Sequence, residues 1–401
     1  MAALPLRSGP AAREIQGNVL AAFNKPHMRF VLVTFAVDDR AAARAWLREM
    51  FPLVSCSEDV ASHNDAWKLD NTLEELWTAL GLTRSGLERL GVDSVDTDLS
   101  AHRAFRVGPA RRAGDLGDVD ASAPSNWLFG ASEVPVDAVV TVAGDVADAV
   151  CDRVKDVERI AAARGARVLH APAGRKLPDG REHFGFRDGI GQPDVKGFVA
   201  AGIEPGEFLL GWPDERGEPG ELAPWLHNAS FQVLRVLAQD VAGWEAAAAE
   251  EADPGRWSAE RMGRTPSGEL LDPTPPGSHI RKVVPAGYAF GSRRRRLLRR
   301  GIPYGRPFAE QPDAPRGLLF NAFMANIGSQ YEYVQAFFAN SASFPTPGTG
   351  PDPVIGGPDA SQAIYRDRRA APAWPRFVTT RGAAYAIALS LPALKELAAG
   401  R

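Results

Sequence analysis

The chain has 401 residues, 45% of them apolar and 24% charged, with a formal net charge of -3. That balance is ordinary for a soluble globular protein, long for one core and comfortable for two domains, and it provides no global field to recruit nucleic acid or an anionic membrane. No run approaches the apolar length of a membrane span, and two cysteines, Cys56 and Cys151, are too few for a disulfide framework or a zinc site.

In chain order, the N-terminal MAALPLRSGPAAREIQGNVL carries no basic segment leading into an apolar run, and no twin arginines. With two thiols suited to a reducing compartment, this predicts a cytoplasmic protein. Residues 27–37 (HMRFVLVTFAV) are rich in β-branched and aromatic side chains and lead into DDRAAARAWLREMF, whose apolar residues recur at helical spacing. The same strand-then-helix pairing recurs at AVVTVAG (138–144), SFQVLRVLAQ (230–239) and GLLFNAFMAN (317–326). Two such units in each half predict a duplicated α+β architecture. Each half would be a split βαβ unit with an antiparallel sheet and its helices packed on one face. Between the halves, residues 171–224 are crowded with glycine and proline and show no period. So long an irregular stretch is usually functional or disordered. GEFLLGW (206–212) is too apolar for a solvated linker, so the segment is expected to pack onto the fold. A second Gly/Pro segment, SASFPTPGTGPDPVIGGPD (341–359), reads as a surface loop or lid.

The usual hydrolase and nucleotide signatures are missing. No two of the seven histidines sit at the spacing of a helical zinc motif, no serine lies in a nucleophile elbow, and no phosphate-cradling glycine loop opens a helix. His279 stands in PPGSHIRKVVPAG, and a lone histidine is more often a surface or satisfied core residue than a ligand. The run GSRRRRLLRRGIPYG (291–305) invites a nucleic-acid reading, but the small net charge and the lack of interleaved aromatics argue against one. Arg293, Arg294 and Arg295 read as a solvated basic helix face, whereas Arg299 and Arg300 abut a tight turn that can carry an arginine inward. EHFGFRDGIGQP (182–193) sets Asp188 between Arg187 and Gly189, where the bland reading is a capping or turn aspartate.

HFGFRDGIGQP resembles the Gly-x-x-Asp-Gly signature of the dye-decolourising peroxidases. In the same chain order, IQGNVL (15–20), GEFLLGW, NASFQVLRVLAQDV, GSHIRK, LLRRGIPYG, GLLFNAFMANIGSQYEYVQ and DPVIG also resemble family segments, from about Ile15 to Ile355. One motif would be weak; eight in order are specific. The resemblance implies two ferredoxin-like domains in a dimeric α+β barrel-like arrangement. Residues 1–195 would end in the Asp188 loop, and residues 196–401 would hold most of one haem b per chain. It implies a peroxidase that reduces hydrogen peroxide and oxidises dyes, phenols or other organic one-electron donors, with a homo-oligomer left open. The alternative is a non-catalytic haem-binding or haem-handling protein on the same scaffold.

Carried onto this chain, the resemblance implies His279 as the proximal iron ligand, with Asp188 and Arg299 on the distal side. A carboxylate can move the peroxide proton from one oxygen to the other, and a permanently charged guanidinium can stabilise the departing oxygen. A carboxylate base works ionised, so turnover is expected to peak on the acid side. Phe186, Gly189 and Arg281 are expected as further haem contacts, and the glycines of the loop as positions where backbone comes close to the porphyrin. Glu332, in QYEYVQ, is expected to receive the other ring N–H of His279, and Arg300 would replace Arg299 if the turn is shifted by one residue. Trp225, Tyr304, Tyr331 and Tyr333 are candidates for relaying electrons to bulky dyes.

Overall fold

The computed structural model describes residues 4–131, 133–219, 222–284, 293–357 and 376–401. The first predicted unit forms β1 (His27–Thr34) and α1 (Arg40–Met50), followed by β2 (Leu76–Leu82) and β3 (Ala138–Gly144). It ends with α2 (Ala147–Ala163), β4 (Arg167–His170) and β5 (Ala173–Arg175). The second forms β6 (Ser230–Gln239), α3 (His279–Val283), β7 (Leu298–Arg299), β8 (Ile302–Tyr304), β9 (Gly317–Met324) and β10 (Val378–Ala388). Where a second long helix was expected, Gly328–Glu332 and Val334–Ala339 wind as π-helix, with Glu332 N donating to Ile327 O at 2.9 Å.

The strand order is β4-β1-β3-β2-β10-β6-β9-β7. The first four strands and the last four therefore repeat one pattern, in which the first and third strands of each unit lie side by side at its centre. This is the split βαβ arrangement, present twice, and every ladder between these strands is antiparallel. The two half-sheets do not stand apart. β2 meets β10 at Leu82 and Ile387. At the far side β5 pairs with β1 and comes against β8, where a Cβ on Gly174 would lie 2.1 Å from Ile302 Cγ2. The combined sheet thus curls back on itself as an α+β barrel.

Closure explains why the strands read as continuous apolar runs. Phe30 and Leu32 of β1 join Trp77, Val139, Leu234 and Ala384 in a core shared by both halves, while Val31 and Val33 pack with Trp46, Leu47 and Met50 of α1. A strand buried on both faces has no polar alternation to show, and all seven residues of β3 are buried. The irregular 171–224 segment packs on the fold as expected, with Phe208 and Leu209 fully buried.

Candidate functional site

The second half-sheet positions a large cavity. Successive residues on one face of β6 do two jobs: Phe231 and Val233 belong to the core, and Arg235, Leu237 and Gln239 line the cavity. Register places Leu237 opposite Leu318 of β9 and Thr380 of β10, which line it too. The cavity encloses about 1740 Å³, including its solvent-open mouth, and further walls come from α3, the π-helix, the 182–191 loop and other loop residues, Asp118, Arg264 and Arg296 among them. Much of the wall is apolar. Among the described residues that line it, seven are arginines and three are carboxylic acids.

On α3, His279 lines the cavity. Its Nδ1 sits 2.9 and 3.2 Å from the two oxygens of Asp352. Asp352 Oδ1 also accepts from the backbone N–H groups of Val354 (2.8 Å) and Ile355 (3.0 Å). Burial alone would push the Asp352 carboxyl up, but His279 and the two amides hold it below the ordinary carboxylate range. A carboxylate here makes Nδ1 the donor and leaves Nε2 as the nitrogen available to a metal. Among the described residues no three His, Cys, Asp or Glu side chains converge on a metal site. A single imidazole is the ligand set that suits a metal carried in a macrocycle, which supplies the other ligands itself.

The 182–193 loop supplies a second wall. Gly185, Gly189 and Gly191 have φ of 89°, 79° and 72°, a left-handed backbone that other side chains resist. Asp188 and Phe186 line the cavity, and Asp188 Oδ1 accepts from Gly189 N–H at 2.6 Å. Arg299, also lining the cavity, donates from Nη2 to Ile190 O (2.8 Å), and its backbone N–H donates to Gln192 Oε1 (3.0 Å). Arg296 Nη2 donates to Gly191 O at 2.7 Å. Glu182 lines the cavity as well. Burial raises its carboxyl above the ordinary value and the charge of Asp188 adds to that, against three N–H donors.

The arginines repel one another. Burial lowers Arg264 and Arg296, and the charge of Arg299 lowers both further. Buried Nε atoms of Arg235 and Arg264, and Oδ2 of Asp118, have no hydrogen-bond partner. A cavity of this kind favours an anionic guest that relieves the repulsion and meets the orphaned donors.

Several expected residues lie elsewhere. Glu332 is not the partner of His279: it accepts from Arg112 Nε at 2.7 Å and from Tyr385 OH at 3.1 Å. The π-helix turns Tyr331, Val334 and Gln335 toward the cavity, and Glu332 falls off that face. Asp352 comes instead from the described part of the second Gly/Pro segment, residues 341–357, where it is buried. Arg300 is also turned away. Buried behind the strand, it donates to the carbonyls of Asn18, Val19 and Leu20, with its pKa lowered to about 10 by burial and by Arg299. Arg281 does not line the cavity, and neither does Gly189, where a Cβ would meet nothing within 4 Å. Gly189 is required by its turn, not by a close approach within the chain. Of the three arginines expected on a solvated helix face, Arg293 is exposed and pairs with Glu215 at 2.7 Å, whereas Arg295 lines the cavity, as does Arg296. Of the four aromatic candidates for electron relay, Tyr331 lines the cavity.

Two family models match, one described as the DyP dimeric alpha+beta barrel domain over residues 14–174, the other as Dyp-type peroxidase, C-terminal, over 179–344. The multifunctional dye peroxidase DyP2 of Amycolatopsis sp. is 29% identical, with 96% of this chain and 95% of the relative aligned. An ancestral D-type dye decolorizing peroxidase superposes with a TM-score of 0.80 at 24% identity, covering 97% of this chain and 99% of that one. A dye-decolorizing peroxidase in complex with 2,6-dimethoxyphenol gives a TM-score of 0.80 at 24% identity, over 96% and 99% of the two chains.

Proposed function

This chain belongs to the dye-decolourising peroxidase family and is a haem peroxidase, and from that premise we propose that His279 is its proximal ligand and that Asp188 and Arg299 handle hydrogen peroxide. The observation that carries the reading is that these three side chains line one cavity, with His279 backed by a buried, ionised Asp352. The residues fit one haem b per chain. His279 offers a single imidazole, the apolar wall suits a flat macrocycle, and the mutually repelling arginines suit propionates. When bound, haem would supply the two electrons that reduce peroxide and would hold the resulting oxidising equivalents until an organic donor returns them.

The chain's own residues do the rest. Asp352 holds the imidazole in one orientation and one tautomer and makes it a more basic ligand. Asp188 accepts a proton from one peroxide oxygen and returns it to the other, so that the leaving group departs as water. Arg299, fastened to Ile190 O, keeps its charge beside that oxygen. The electron donor is an organic molecule of the dye or phenol class, a reading supported by the relative named for dyes and the structural neighbour that carries 2,6-dimethoxyphenol. Residues 1–195 make the unit that ends in the Asp188 loop, and 196–401 the unit that contributes most of the cavity. The two free thiols, one buried and one partly buried, favour a reducing, cytoplasmic setting.

The test is rapid mixing of haem-loaded protein with one equivalent of hydrogen peroxide, followed at the Soret band. Asp188→Asn and Arg299→Leu should each slow the change by about a hundredfold or more, while His279→Ala should weaken haem affinity in an apoprotein titration. A non-catalytic haem carrier predicts no dependence on either distal side chain, so parent-like rates in both variants would reject the peroxidase assignment of these residues.

A further inference from the structure

Asp188 itself makes one bond inside its own turn, to Gly189 N–H. Its position must therefore come from what holds the chain on either side. After Asp188, Arg299 holds Ile190 O and Arg296 holds Gly191 O. Before it, Glu182 makes most of the hydrogen bonds. Glu182 Oε2 accepts from Phe184 N–H at 2.9 Å, and Oε1 accepts from Phe186 N–H at 3.0 Å. Glu182 Oε2 also accepts from Gln239 Nε2 of β6 at 2.6 Å. The backbone of Glu182 closes the same turn, its N–H donating to Phe186 O and its carbonyl accepting from Gly185 N–H, both at 2.9 Å. Two further ties stand on this side: His183 Nε2 lies 2.7 Å from Tyr304 O of β8, and Arg187 N–H donates to Pro266 O over a longer 3.3 Å.

We propose that Glu182 is a positioning residue for Asp188: its carboxyl group fixes the turn that presents Asp188 to the cavity and fastens that turn to the second half-sheet. All three side-chain partners are N–H donors, and they reach both oxygens. Glutamine has the same shape but offers one acceptor and one donor, so it opposes an N–H to an N–H at one of the two backbone sites. The peroxidase reading above gives the turn its purpose, since a proton carrier works only when held within a fraction of an ångström of its target. Neither Glu182 nor Gln239 touches the peroxide in this scheme. They act through Asp188.

A double-mutant cycle on the haem-loaded protein, paired with amide exchange, tests this. Glu182→Gln should lower the second-order rate with hydrogen peroxide by about tenfold, leave the KM for an organic donor unchanged, and speed exchange at the Phe184 and Phe186 amides. In an Asp188→Asn background the same change should lower the peroxide rate no further. A parent-like rate in Glu182→Gln, parent-like exchange, or an equal tenfold loss in the Asp188→Asn background would each overturn the proposal, the last by showing a general effect on the fold. If Asp188→Asn alone reacts like the parent, the proton-carrier reading fails and the positioning role falls with it. That outcome is distinct, because exchange at Phe184 and Phe186 would still respond to Glu182→Gln.

Discussion

His102 shows what burial does to one titrating side chain. It precedes the short helix Arg103–Val107, and its ring centre lies 4.6 Å from that of Phe231. Burial, with the charge of Arg106, pushes its pKa from 6.5 down to about 4. The folded chain thus binds fewer protons than the unfolded one between those values. The stability this contributes is complete above about pH 6.5 and is lost as pH falls toward 4. At about 1.4 kcal/mol per unit, the full loss is about 3 kcal/mol. Urea unfolding at pH 7 and pH 4.5 should show a smaller acid loss in His102→Leu than in the parent, and equal losses would mean the ring titrates alike folded and unfolded. The same scale shows what a sequence conceals. Glu332 and Asp352 are both carboxylates in motif segments, and distance along the chain does not say which reaches His279. The signal for Asp352 was present in DPVIG, which turns sharply: an aspartate there accepts the next two amides and still has an oxygen for a ring N–H. The π-helical winding that takes Glu332 away has no comparable mark.

At the scale of elements, the four strand-helix starts were legible because β1, β3, β6 and β9 are central strands, long and mostly buried. Their partners were harder to read. β5, β7 and β8 have two or three residues each and owe their extended form to the strand beside them, and propensity says little about so short a piece. Closure of the barrel depends on one of these. At Gly174 the approach of β5 to β8 leaves no room for a side chain, with Ile302 Cγ2 2.1 Å and Pro303 O 3.2 Å from the place of a Cβ. The isoleucine tip can move, but the carbonyl is backbone. Gly174→Val should therefore cost about 1–3 kcal/mol of stability through overpacking, read as a lower urea midpoint at unchanged slope. An unchanged midpoint would mean that β5 and β8 are free to separate.

For the molecule as a whole, the question is what makes two similar units one body. Between β2 and β10 the strand ladder is a single position among the described residues, Leu82 with Ile387. Gln16, from the N-terminal IQGNVL segment, fills the gap in that ladder. Its Nε2 donates to Leu80 O (2.9 Å) and Leu389 O (2.8 Å), and its Oε1 accepts from Leu80 N–H (2.8 Å). A second tie lies at the cavity, where Arg235 of β6 holds Asp118 from the first half at 2.5 Å, with Thr380 Oγ1 of β10 donating to the same oxygen at 2.7 Å. Gln16→Leu would strand one buried N–H and two carbonyls, each costing about 1–3 kcal/mol when unsatisfied, so the urea midpoint should fall by several kcal/mol in equivalent stability. Cooperativity should survive. The barrel core mixes Phe30 and Trp77 of one half with Leu234 and Ala384 of the other, and neither half can open without exposing it. Unfolding followed by tryptophan fluorescence and by far-ultraviolet dichroism should give coincident single transitions in both proteins. Two separated transitions in Gln16→Leu would mean that the amide stitch, rather than the shared core, is what couples the halves.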